Sequence, residues 1–158
     1  MSTVYGSCSI SNTKIVEKTI RSLARFITGK RKFDSIAPTI CKELKWLFPK
    51  ELHVFNMMCI MFKLQKGVPV SCFNDYFVLR SIRHKYPTSS ATNGSFHCNF
   101  YPKTSYGYAS FYYKSITYWN DMPLEVRDCA TLYMFKKKLK EHLLNQQLGR
   151  LGITNNTN

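Results

Sequence analysis

Residues 49–66, PKELHVFNMMCIMFKLQK, decide the fold. Wound as a helix, they bring Leu52, Phe55, Met58, Cys59 and Phe62 onto one face, and Val54 and Met61 widen it. A helix this apolar is expected to be the most buried element of the chain. Pro49 suits a first helical turn, where its missing N–H leaves nothing unpaired, and Gly67 and Pro69 end the run. Its longest uncharged stretch, VFNMMCIMF at 54–62, is far short of the roughly 20 residues that span a bilayer, so no membrane is expected as a partner.

Upstream, Pro38 is placed for the first turn of a short helix, TICKELKWL, reaching Leu47. The turn GKRKFDS at 29–35 precedes it. Before that turn, Asn12 or Thr13 caps a helix that runs to Thr28 and stops at Gly29. Within it Val16, Ile20, Leu23 and Ile27 repeat at intervals of four, three and four, and Lys14, Lys18, Arg21 and Arg25 repeat two positions earlier. Two residues turn a helix by about 200°, which sets a basic stripe opposite an apolar one.

Downstream, a short helix is expected over 72–79, then an exposed loop at 87–95 rich in Pro, Ser, Thr, Asn and Gly. Phe96, Cys98 and Phe100 alternate with His97, Asn99 and Tyr101 in the period-two pattern of a strand or hairpin arm. The aromatic run YGYASFYYKSITYWN at 106–120 is compatible with helix or strand, and helix is favoured. Pro123 opens a turn. Thr131 caps a last helix through Leu148, with Gly149 as its stop, Leu132, Phe135, Leu139 and Leu143 inside and lysines outside. The expected fold class is therefore mainly α, a compact bundle of about five or six helices with one small β-hairpin. Its expected divisions are a disordered 1–12, a basic helical subdomain at 13–86, the loop at 87–95, a hairpin with C-terminal helices at 96–148, and a disordered tail at 149–158.

The 158 residues are enough for one domain with a real core, and 44% hydrophobic content excludes wholesale disorder. Charge narrows the function further: 23 Lys+Arg against 9 Asp+Glu give +14, so a polyanion is the first partner to consider. Three cation sets are candidates for phosphate contacts. They are Lys14, Lys18, Arg21 and Arg25 with Lys30, Arg31 and Lys32; then Arg80, Arg83 and Lys85; then Lys136, Lys137, Lys138 and Lys140. Each is also compatible with a solvated helix face. Tyr106, Tyr108, Tyr112, Tyr113 and Tyr118 are candidates for stacking on bases, and Trp46, Phe111 and Trp119 for the core.

The six cysteines have no C-x-x-C spacing and are expected to be reduced packing residues. His97 and Cys98, as strand neighbours, point to opposite faces and make a poor ligand pair. No metal or cofactor is expected. The N-terminus, MSTVYGSCSISNTK, lacks a basic n-region and a continuous apolar run, so the protein is expected in the nucleus or cytoplasm and not secreted.

Several segments, in order, carry a resemblance. These are Leu23-Ala24-Arg25-Phe26-Ile27-Thr28-Gly29, Phe33-Asp34-Ser35-Ile36-Ala37-Pro38, Leu44-Lys45-Trp46-Leu47, Phe62-Lys63 with Gly67 and Pro69, Gly107 with Ser110-Phe111, Trp119-Asn120-Asp121-Met122-Pro123, and FKKKLKEHLL at 135–144. Over roughly residues 20–145 this series resembles the region that follows the polymerase core in reverse transcriptases of non-LTR (LINE-type) retrotransposons. Phe48 is an extra residue before Pro49, Met122 stands where the family has Leu, and Tyr86-Pro87-Thr88-Ser89 has Pro and Ser in place of Asn and Arg.

The resemblance implies an RNA-directed DNA polymerase as parent, with RNA or an RNA/DNA hybrid as ligand. A palm-bearing polymerase fragment, or self-association, is the other implied partner. Two-metal polymerisation needs clustered carboxylates. The family supplies an Asp-Asp pair, whereas Asp34, Asp75, Asp121 and Asp128 are each isolated. The expectation is a non-catalytic, thumb-side piece truncated before the catalytic core, with no enzymatic activity and at most weak electrostatic binding of RNA or DNA; the alternatives are an interaction module that uses the apolar surface left by the missing palm, or a reading frame with no selected role.

Overall fold

The computed structural model describes residues 10–70, 75–83 and 93–153. They are mainly helical, with eight helices: α1 (Ile10–Thr28), α2 (Ala37–Lys42), α3 (Pro49–Gln65), α4 (Arg80–Arg83), α5 (Ser105–Ala109), α6 (Phe111–Asp121), α7 (Leu124–Arg127) and α8 (Leu132–Arg150). The chain divides into two units, one formed by Met1–Phe55 with Leu139–Asn158 and the other by Asn56–Lys138.

In the first unit, α1 ends as its sequence requires, with Gly29 at a φ of 64°. Its core contact is small: Ala24 is buried beside Ile36, Ile40 and Phe48, with Ile20, Leu44, Trp46 and Leu151 packed against them. The expected apolar stripe does not face this core. Val16, Leu23 and Ile27 are exposed, as are Ile15 and Phe26, because α1 is turned by roughly a quarter turn so that Ile20 and Ala24 point inward.

The segment after α2 also departs from expectation. The helix stops at Lys42, not near Leu47, and Lys45 takes a φ of 51°, left-handed backbone that interrupts a helix. The turn is held from α8. The buried Gln147 side chain accepts from the Phe48 N–H (2.8 Å) through Oε1 and donates to the Trp46 carbonyl (3.0 Å) through Nε2. Phe48 is thus a core residue with a bonded backbone.

In the second unit, stacked and edge-on rings form a continuous core. Phe62 stacks on Phe135 (4.4 Å between centroids), Phe135 meets Trp119 (5.8 Å), Trp119 meets Phe96 (6.0 Å), and Phe96 meets Phe77 (6.1 Å). The Trp-Asn pair has a clear task. Trp119 Nε1 donates to the Gly94 carbonyl, and Asn120 both accepts from the Phe96 N–H and donates to the Phe96 carbonyl, each at 3.0 Å. Those bonds replace the ones a hairpin partner would supply.

The expected β-hairpin accordingly reduces to one isolated bridge, Leu79 with Phe96, and Phe100 is exposed. Residues 75–79 are not helical; residues 72–74 of the expected helix and 87–92 of the expected loop lie outside the described residues. The run 106–120 is helical but broken at Ser110. There the hydroxyl accepts from the Tyr113 N–H (3.3 Å) to start α6 and donates to the Gly107 carbonyl (2.6 Å) to finish α5.

Helices α3 and α8 keep their expected beginnings and faces with two changes. α3 buries Val54, Met57, Met58, Met61 and Phe62, along with Glu51 and His53, the largest buried set of any described helix. Its buried centre lies towards Val54 and Met61, which leaves Leu52 exposed. Gly67 (φ 70°) closes it by donating to Leu64 while Val68 donates to Lys63. Thr131 caps α8 by accepting from the Met134 N–H (3.3 Å), and Phe135, Leu139 and Leu143 are buried. Gly149 remains helical; the left-handed stop is Gly152, with Ile153 bonded back to Leu148.

Candidate nucleic-acid interface

The quarter turn of α1 places its cations beside the core. Arg21 lies over the Phe48 ring with its guanidinium carbon 5.2 Å from the centroid, a cation–π contact that fixes an otherwise mobile side chain. Arg25 donates to the Asp34 carbonyl (3.4 Å), and its buried Nε has no hydrogen-bond partner among the described residues. Asp34 also accepts from the Arg31 N–H (2.9 Å), so one aspartate shapes the basic turn.

These contacts gather Lys18, Arg21, Arg25 and Lys32 along one open groove of about 750 Å³, with Ile15, Thr19 and Ser22 completing its lining. No carboxylate lines it. Four cations and two hydroxyls lining one groove can hold phosphate oxygens.

The other expected cations are distributed differently. Lys14 is exposed on the same helical face as Lys18, and Arg31 is exposed in the turn. Lys30 is half-buried, donating to Thr39 Oγ1 and lying 3.9 Å from Glu43, so it belongs to the turn's own bonding. Lys140 helps line a second groove of about 410 Å³, with Ile20, Lys45, Trp46, Leu52 and Phe55 among its walls. That surface is apolar and suits phosphate poorly.

In the second unit, Arg80 donates to the Phe96 carbonyl (3.3 Å) and Arg83 to the Asn99 side chain, so both support local backbone. Lys85 lies outside the described residues. Lys136 and Lys137 are exposed, whereas Lys138 donates to the Glu125 carbonyl (2.9 Å).

Among the cations that sequence reasoning passed over, Arg127 is buried deepest. It donates to Ser95 Oγ (3.1 Å), and burial lowers its pKa from the ordinary value. Only the structure of the 94–96 segment could have revealed it.

The tyrosines divide. Tyr106, Tyr108 and Tyr118 are exposed, while Tyr112 and Tyr113 are half-buried, Tyr112 against Phe77 (5.3 Å). Trp119 is fully buried and Trp46 partly so. Cys41 and Cys129 are buried free thiols; burial pushes the Cys59 thiol up, outweighing Lys136 and Lys63, which fits an inert packing residue.

Among the described residues no helix is long and apolar enough to cross a membrane, and no three His, Cys, Asp or Glu side chains are placed to share a metal ion. Comparison with family models, with curated proteins and with solved structures finds no match to the chain.

Proposed function

We propose that this chain is a non-catalytic, thumb-side part of a LINE-type reverse transcriptase and that its own activity is weak, electrostatic binding of RNA or DNA. The observation that carries the reading is the groove holding Lys18, Arg21, Arg25 and Lys32. The motif order from Leu23 to Leu144 supports the family origin, and the absence of adjacent aspartates from the sequence supports the lack of polymerase chemistry. Binding through such a groove must weaken as salt rises, because each phosphate neutralised releases a counterion. Affinity for an oligonucleotide that is undetectable at low salt, or indifferent to salt, contradicts the reading. Primer extension by the purified chain with magnesium contradicts the non-catalytic part.

A second reading is favoured by one specific observation, the exposed arc of Ile15, Val16, Leu23, Phe26 and Ile27 on α1. An apolar arc of this kind suits a docking module, with a palm-bearing polymerase fragment or a second copy of the chain as its partner. A chain that remains monomeric at high concentration, and fails to associate with a separately expressed polymerase core, rules that reading out.

A further inference from the structure

Between Asp75 and Asp121 the sequence has no acidic residue, yet it carries eight of the ten tyrosines together with Arg80, Arg83, Lys85, Lys103 and Lys114. The second unit builds part of this stretch into a braced tip. Buried Pro102 lies against Gly107 so closely that a Cβ at Gly107 would meet the Pro102 Cβ at 2.6 Å, which folds the 100–103 segment back onto α5. Thr104 accepts from the Gly107 N–H (3.2 Å), the Asn99 N–H donates to the Tyr112 hydroxyl (3.1 Å), and Arg83 donates to the Asn99 side chain. Held this way, Tyr101 and Tyr106 are 74% and 88% exposed, and Phe100 and Tyr108 are each more than half exposed.

Tyr108 packs edge-on against Tyr113 (5.3 Å), which leaves Tyr101 and Tyr106 as the two rings most open to a partner with flat apolar faces. Lys103 lies between them in sequence, and the stretch between Asp75 and Asp121 has no acidic residue, which favours an anionic partner. An unpaired nucleotide strand offers both properties, since every base has a ring face and every linkage a phosphate. A duplex does not, because its base faces are already stacked on one another.

We propose that Tyr101 and Tyr106, whose chain neighbours Pro102 and Gly107 pack together, offer stacking faces for unpaired bases, which makes the ligand of this chain single-stranded RNA or DNA. The proposal rests on the polyanion reading above and adds the class of strand. The platform contributes base-dependent affinity; the cations contribute the salt-dependent remainder.

The test compares the full chain binding to an oligothymidylate of about 12 nucleotides, an abasic oligonucleotide of equal length, and a duplex. The platform predicts that oligothymidylate binds tightest. It also predicts that Tyr101→Ala with Tyr106→Ala weakens oligothymidylate binding about 30-fold or more while abasic binding is unchanged, given roughly 1–3 kcal/mol for each of the two stacks lost. Tyr101→Phe with Tyr106→Phe keeps the rings and retains wild-type affinity, which separates stacking from loss of fold. Equal binding of abasic and base-bearing strands, or wild-type affinity in the alanine variant, overturns the platform and leaves the polyanion reading standing. Absence of binding to every oligonucleotide overturns both.

Discussion

Helices α1 and α8 are each 19 residues long and each carries a row of cations. α8 buries Phe135, Leu139, Leu143, Leu144 and Leu148, whereas α1 buries only Ala24 among its described side chains and leaves Val16, Leu23, Phe26 and Ile27 in water. The contrast teaches that an apolar stripe reports which face a helix is able to bury, not whether anything is there to cover it. In α8 the stripe is buried, with Phe135 set against the rings of Phe62 and Trp119. In α1 the small core contact turns the helix, and the cations, not the apolar residues, end up organised.

The sharpest way to break this contrast is to truncate one apolar side chain from each helix. Phe135→Ala removes a ring stacked on Phe62 and in contact with Trp119, and is expected to lower unfolding stability by about 3–5 kcal/mol in urea titrations. Phe26→Ser, at a ring 88% exposed, is expected to stay within about 0.5 kcal/mol of wild type. Similar losses from the two would erase the difference between the helices.

A second variant tests the polar contact that α8 adds to its buried stripe. Gln147→Leu keeps the side-chain volume but leaves the Phe48 N–H and the Trp46 carbonyl without their partner, a loss of about 1–3 kcal/mol in the same titration. A neutral result would mean that the turn at 45–48 is held by packing alone.

The smallest effect concerns pH. Glu51 lies 3.0 Å from the Arg150 guanidinium, yet burial outweighs that attraction and raises the carboxyl above its ordinary value. The folded state therefore takes up a proton more readily than the unfolded state. The Glu51 contribution is present at and below the ordinary carboxylate range and declines as pH rises through the raised folded value. Glu51→Gln should remove this decline from a plot of unfolding midpoint against pH. An unchanged plot would show that Arg150 compensates the buried charge fully.

Much of the helical framework was legible because its signals are local. Gly29, Pro49, Gly67 and Thr131 act on the backbone of their own turn, and the helices they bound begin or end beside them. The misread places depend on distant groups. The stop after α2 needs Lys45 in left-handed backbone and the clamp from Gln147, about a hundred residues away in sequence. The hairpin expected from Phe96, Cys98 and Phe100 gives way to side-chain bonds from Trp119 and Asn120. At the candidate site, the cation set on α1 was visible from its spacing. That Arg21 would rest on Phe48, and Lys32 join Lys18 in one groove, was not, because both depend on how far α1 turns about its own axis.

The most direct measurement of the central claim is the salt dependence of oligothymidylate binding by the intact chain and by a Lys18→Ala, Lys32→Ala double variant. The cationic groove predicts that the logarithm of the association constant falls linearly with the logarithm of salt concentration, with a slope of about 0.7 per phosphate engaged and a shallower line for the variant by about 1–2. No binding at low salt, or the same slope in both proteins, would contradict it.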